Sequence, residues 1–196
     1  MDQEAVKRAF LVVGPESSGT RFLTRLFIAC GCLGDGGHYQ RLDSYFSMVP
    51  GSLKDVGEEG ISIDIDGVDL LVWRRSLPHG GREEWPDLRL MIKALRRRGF
   101  EVWVVVILRD WLVTAKSQVR RGMAASVDEA LERIHRSVLS SLEAIKHESV
   151  AWHVVLYESL VLHPHSATSQ LFKHLDLTLP AKFEKPVDMN LKYYGN

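Results

Sequence analysis

Two short stretches of the chain carry residue types whose order suits the binding of anions. The first is Gly14-Pro15-Glu16-Ser17-Ser18-Gly19-Thr20-Arg21, placed directly after the apolar run Phe10 to Val13. A buried strand, a glycine-rich turn and a helix in that order gather backbone N–H groups and a positive helix end around one point. Gly14 and Gly19 are five apart, the spacing of a Walker loop, G-x-x-x-x-G-K-[ST]. Thr20 and Arg21 stand where such a loop has its Lys and its magnesium-binding hydroxyl, so ordinary triphosphate chemistry is disfavoured. The second stretch is Arg109-Asp110, just past Val102 to Leu108, the most apolar run in the chain. Open α/β sheets place ligands at the carboxyl ends of such strands. Glu16, a carboxylate inside the anion loop, would repel a phosphate and is given no role.

The surrounding pattern supplies elements to hold these stretches. Phe22, Leu23, Leu26, Phe27 and Cys30 repeat at helical spacing after the loop, with Gly31 as a stop. Leu33 to Gly60 is rich in Gly, Asp and Ser, and a segment of that length reads as a binding loop or lid. Ile61 to Asp66 and Val68 to Trp73 suggest a hairpin or a strand turning at Asp66-Gly67, with Arg74 and Arg75 at its end. Leu88 to Arg98 reads as a helix through Leu88, Met91, Ile92 and Leu95, and Arg96 to Arg98 then fit the cation preference of its last turn. Val102 to Leu108 is expected at the centre of a parallel sheet. Ser126 to Glu129 form a capping box opening a helix whose apolar stripe is Leu131, Ile134, Val138, Leu142 and Ile145. Trp152 to Leu156 is a last strand and Ser166 to Leu175 a short helix. Strands alternating with helices predict a three-layer α/β fold of the P-loop NTPase-like kind, with a central, mainly parallel sheet.

Composition sets the outer limits. The 196 residues carry 25 Lys+Arg and 25 Asp+Glu, and 45% are hydrophobic, which is ordinary for one globular domain spanning 1–196. A net charge of zero argues against a duplex nucleic-acid binder. No apolar stretch is long enough for a signal peptide or a membrane span, so a cytoplasmic protein without a membrane partner is expected. Cys30 and Cys32, separated by one residue, are read as free thiols in packing roles, and no metal site is expected. No repeat or low-complexity tract interrupts the chain.

The loop ending in Ser18-Gly19-Thr20 resembles the 5′-phosphosulfate loop of PAPS-dependent sulfotransferases. Arg109 at a strand end, followed eight residues later by Ser117, is similar to that family's 3′-phosphate signature, although the intervening Pro and Asp are absent. Leu156-Tyr157-Glu158-Ser159-Leu160-Val161, then Pro164 and a helix ending in Leu-Asp-Leu, resembles the segment Y-E-D-L, P, F-L-G-L. Arg74-Arg75-Ser76-Leu77-Pro78 is similar to K-T-H-L-P of the cytosolic branch, with Ser76 at the catalytic His and Arg74 at the Lys. These matches run from Gly14 to about Leu177.

The resemblance implies transfer of a sulfuryl group from PAPS to a hydroxyl or amine, leaving PAP, with no metal required. It implies that the loop residues Ser17, Ser18, Gly19 and Thr20 hold the 5′-phosphate through backbone N–H groups, that Arg21 adds a charged fork, and that Arg109 and Ser117 hold the 3′-phosphate. Ser17 stands where many members carry a Lys or Arg, so Arg21 or Arg74 is asked to supply that charge. His38, in Gly-Asp-Gly-Gly-His, is the first candidate for general base and His79 the second. Glu158 either buttresses the cofactor loops through an Arg or lies at the surface, and Arg120 and Arg121 either extend the basic patch of the 3′-phosphate helix or, as preferred here, form a solvated helix end. Tyr39, Tyr45, Phe46 and Trp85 are candidate pocket aromatics. The acceptor is a small molecule, a saccharide or a protein side chain, and dimerisation is a route to completing its pocket. Two competing readings remain: a P-loop kinase or NTPase with an altered loop, in which Asp110 binds magnesium, and a noncatalytic nucleotide-binding module.

Overall fold

The computed structural model describes residues 6–34, 67–78, 85–183 and 186–194. Its frame is a parallel sheet of β1 (Arg8–Pro15), β2 (Leu33–Gly34), β3 (Leu70–Leu77), β4 (Glu101–Leu108) and β5 (Ala151–Leu156), in the order β2-β3-β1-β4-β5. Phe10 and Val12 of β1 face one side of the sheet and Ala9, Leu11 and Val13 the other, all within 1% of full burial. A strand covered on both faces reads as a continuous apolar run, which is why this one was visible. β1 takes the centre that was expected of Val102 to Leu108. β4 is interior, with β1 and β5 on its flanks, because apolarity reports burial on both faces and says nothing of strand order.

One layer consists of α2 (Leu88–Arg97) and α4 (Val127–Glu148), packed on Leu11, Trp73 and Val104 through Met91, Ile92 and Ile145. The other consists of α1 (Thr20–Ala29), α5 (Tyr157–Leu162) and α6 (Pro164–His174), packed on Phe10, Val12 and Ile107. There Phe27 bridges the layers, with ring centroids 4.9 Å from Phe10 and 5.0 Å from Phe172. α3 (Trp111–Arg120) follows β4 and packs beside α4, and α7 (Leu191–Tyr194) closes the described chain. This is the expected three-layer α/β fold.

Two elements depart from their expected form. β3 starts at Leu70 and runs on to Leu77, so Arg74, Arg75 and Ser76 lie inside the strand, opposite Val12, Val13 and Gly14 of β1. Its described partners β1 and β2 are both parallel to it, and the proposed hairpin partner at residues 61–66 lies outside the described residues. α4 carries its capping box, Ser126 Oγ accepting from Glu129 N at 3.1 Å, but its inward face is Ala130, Ile134, Ser137, Ser141, Ala144 and Ile145. Leu142 is 40% exposed. Small residues let this helix approach α3 and the sheet, and Ser141 returns its hydroxyl to the Ser137 carbonyl at 2.9 Å, so a polar residue type occupies a core position. The helix expected over Ser166 to Leu175 is α6, opened by Pro164, and a further short helix, α5, precedes it.

Candidate functional site

The loop between β1 and α1 is built from close approaches. A Cβ on Gly14 would lie 2.4 Å from the Ile107 carbonyl, and one on Gly19 would lie 2.7 Å from the Tyr157 ring. Gly19 also has φ +104, so both positions require glycine. Ser17 takes a left-handed conformation at φ 69, and the Ser18 N–H turns back to the Pro15 carbonyl at 3.1 Å. Ser18 Oγ is fully buried with no partner. α1 then begins with no side chain capping its first turn, which leaves N–H groups at its positive end open to an anion.

Across from this loop stands Arg109, 8% exposed, at the carboxyl end of β4. Its Nη1 donates to the Ser17 carbonyl at 3.0 Å and its Nε to Asn190 Oδ1 at 2.6 Å. The guanidinium carbon lies 4.9 Å from the Tyr157 ring centroid and 5.9 Å from that of Tyr193. Nη2 is buried and has no partner. Thus the two sequence-predicted anion elements, the loop and Arg109, are joined by a direct hydrogen bond.

α3 completes one wall. Ser117 is buried, Gln118 Nε2 donates to the Glu16 carbonyl at 2.9 Å, and Arg121 Nη1 donates to Ser17 Oγ at 3.1 Å. Asp110 Oδ1 caps this helix by accepting from Val113 N at 2.9 Å. Glu158 Oε1 accepts from Asp110 N at 3.0 Å and from Asn190 Nδ2 at 2.9 Å. Glu158 therefore buttresses the turn after β4 through a backbone amide and Asn190.

The chain from 187 to 193 lies over the same turn. The Val187 carbonyl accepts from the Tyr157 phenol at 2.8 Å, and the Tyr193 carbonyl accepts from Lys116 Nζ at 3.1 Å. Burial pushes the Tyr157 pKa up, so the phenol keeps its proton and donates. Burial also acts to raise the Tyr193 pKa, but the hydrogen bond with Ser117 and the charges of Lys192 and Arg120 outweigh it and lower the value.

The remaining predicted residues fall into separate places. Thr20 is buried, with Oγ1 3.3 Å from Ser76 Oγ, which links the loop to the end of β3. Arg21 is exposed on the first turn of α1, and Arg74 is half-buried in β3. Its neighbour Arg75 is 1% exposed, with its guanidinium carbon 5.6 Å from the Trp73 ring centroid. Trp85 packs on the α2–α4 core beneath Arg136, whose guanidinium lies 4.2 Å from the ring centroid. His38, His79, Tyr39, Tyr45 and Phe46 lie outside the described residues. Cys30 and Cys32 are free, with burial pushing their pKa up to about 11 and about 12, which favours the protonated thiol at neutral pH. Among the described residues no group of three or more His, Cys, Asp or Glu side chains is placed to hold a metal, and no helix is long and apolar enough to cross a membrane.

Sequence reasoning missed Gln118, Asn190 and Tyr193, and preferred a solvated helix end for Arg121. Their contacts with Glu16, Ser17, Arg109 and Lys116 span 77 to 104 residues, and no local pattern announces them.

Among solved structures, the chain is similar to a sulfotransferase domain from the Synechococcus PCC 7002 olefin synthase, with a TM-score of 0.51 and 15% identity over 96% of this chain and 82% of that one. It is also similar to a sulfotransferase domain from the curacin biosynthetic pathway, with a TM-score of 0.50 and 16% identity over 91% of this chain and 77% of that one. No family model and no curated protein matches it. The likeness is one of fold: a five-stranded parallel sheet flanked by helices, shared with sulfotransferase domains.

Proposed function

We propose that this protein is a PAPS-dependent sulfotransferase whose donor lies across the β1–α1 loop and Arg109. The observation that carries the reading is the hydrogen bond from Arg109 Nη1 to the Ser17 carbonyl at 3.0 Å. It sets two anion-binding elements side by side at one end of the sheet, where a single nucleoside bearing a phosphate at each end of its ribose spans both. Buried Arg109 Nη2 and Ser18 Oγ, both without partners, fit a site with hydrogen-bonding capacity left for a ligand.

In this reading the open N–H groups at the start of α1 hold the 5′-phosphate, with Ser17, Ser18, Gly19 and Thr20 shaping the cradle, and Arg109 with Ser117 holds the 3′-phosphate. The donor supplies a sulfuryl group: an acceptor oxygen or nitrogen bonds to sulfur while the sulfur–oxygen bond to the phosphate breaks, and that electron pair stays on PAP. The acceptor's proton goes to a general base, for which His38 is the first candidate and His79 the second. Arg21 and Arg74 are candidate cations for the charge that builds up. Fixed donors aimed at those oxygens lower the barrier without reorganising. The acceptor is a small molecule or a saccharide.

Asn190 already occupies Arg109 Nε, so donor binding exchanges this contact for a phosphate oxygen. Thermal unfolding with PAP, PAPS and Mg-ATP tests the proposal. Stabilisation by PAP and PAPS without metal is expected. Stabilisation by Mg-ATP alone would sink the reading in favour of a nucleotide triphosphatase, and PAPS binding without transfer to any acceptor would make the protein a binding module.

A further inference from the structure

Arg109 cannot by itself serve both ends of the site. Its Nε and Nη1 are engaged, two tyrosine rings confine it, and Nη2 alone is without a partner. The loop has no cation of its own at position 17. A second guanidinium nevertheless reaches that position from 104 residues away: Arg121 Nη1 donates to Ser17 Oγ at 3.1 Å. Ser17 therefore meets one guanidinium at its carbonyl and another at its hydroxyl, at the turn of the same loop.

The fold holds Arg121 there. It is the C-cap of α3, its N–H bonded to the Ser117 and Gln118 carbonyls at 3.2 Å, and Gly122 at φ 68 turns the chain away immediately after it. Gln118, one turn earlier, ties the helix to the Glu16 carbonyl. The helix end is solvated as expected, and Arg121 also touches the loop from there. A neutral hydroxyl is a modest acceptor for a guanidinium, whose remaining N–H groups suit a charged oxygen in fork geometry. Unlike Arg109, Arg121 is exposed, so it is free to exchange Ser17 for an arriving anion.

We infer that Arg121 is a ligand-binding residue of the loop site, closing on the 5′-phosphate end of the donor while Arg109 holds the 3′-phosphate end. This inference rests on the donor reading above. Calorimetric titration of the full chain with PAP and with adenosine 3′-phosphate, which lacks the 5′ group, separates the two claims. Arg121→Ala is expected to weaken PAP about tenfold or more and to leave adenosine 3′-phosphate unchanged, with Arg121→Lys, which keeps the charge but lacks the fork, recovering only part of the PAP affinity. Arg109→Ala is expected to weaken both ligands. If Arg121→Ala binds PAP as the parent does, or loses both ligands equally, the assignment of Arg121 is overturned while the donor reading stands. If the parent protein binds neither PAP nor PAPS, the donor reading fails, and this inference with it. Because Arg121 is exposed, its variants should keep the parental unfolding temperature, which the same samples verify.

Discussion

Two regions of the molecule gather cations, and they treat them in opposite ways. Where the end of α4 meets α2, the Glu148 carboxylate, 7% exposed, lies 3.5 Å from Lys93, 3.6 Å from Arg89, 3.8 Å from Arg96 and 3.0 Å from His147. Arg96 also donates to the Glu148 carbonyl at 2.8 Å, where it completes the end of α4. At the carboxyl end of the sheet, Arg109 and Ser18 are more deeply buried than those cations, yet Arg109 Nη2 and Ser18 Oγ have no acceptor. Burying a polar group without a partner costs about 1–3 kcal/mol, so a closed cluster serves stability and an open one is kept at a cost. The proposed donor would use the hydrogen-bonding capacity left open at the sheet end.

The sharpest way to break that comparison is Arg109→Ala. It is expected to lower PAP affinity about a hundredfold, by removing charge-assisted bonds worth about 1.5–3 kcal/mol; unchanged affinity in a titration would remove Arg109 from the donor site. Gly14→Ala comes next, expected to cost about 2 kcal/mol in chemical denaturation because its Cβ would meet the Ile107 carbonyl at 2.4 Å. A parental midpoint would mean that the loop is not clamped as described.

Glu148→Gln addresses the closed region, with an expected loss of about 1–2 kcal/mol and no change in PAP affinity. Burial acts to raise the Glu148 pKa, but His147 and Lys93 outweigh it, and the folded value lies below the ordinary 4.5. The stabilisation is therefore complete above about pH 4.5 and is lost as acidification passes the lower folded value. The parent should show this acid-limb loss in unfolding scans, and the Gln variant should lack it. The smallest expected effect is that of Asn190→Ala, which frees Arg109 Nε and should raise PAP affinity about threefold. Weaker binding instead would make Asn190 a support for Arg109 rather than an occupant of its site.

How much of this was legible depended on sequence distance. The loop was readable because strand, glycines and helix are contiguous, and Arg109 because it follows an apolar run. Ser137 and Ser141 escaped a hydrophobic count, since a hydroxyl inside a helix can bond to its own backbone. β3 appeared to end at Trp73 because Arg75 breaks the apolar run, although Arg75 is among the largest fully buried side chains. The meeting of Arg121 with Ser17, and of Asn190 with Arg109, is produced by the packing of α3 and the approach of the last segment, and neither leaves a periodic trace.

That last segment has a consequence for how the protein is made. Asn190 and Tyr193 come after every described strand in chain order, and a ribosome delivers residues at roughly 5–20 per second. The strands and the two turns at the sheet end therefore emerge ahead of Asn190, and Arg109 takes its final contacts only when this last segment docks.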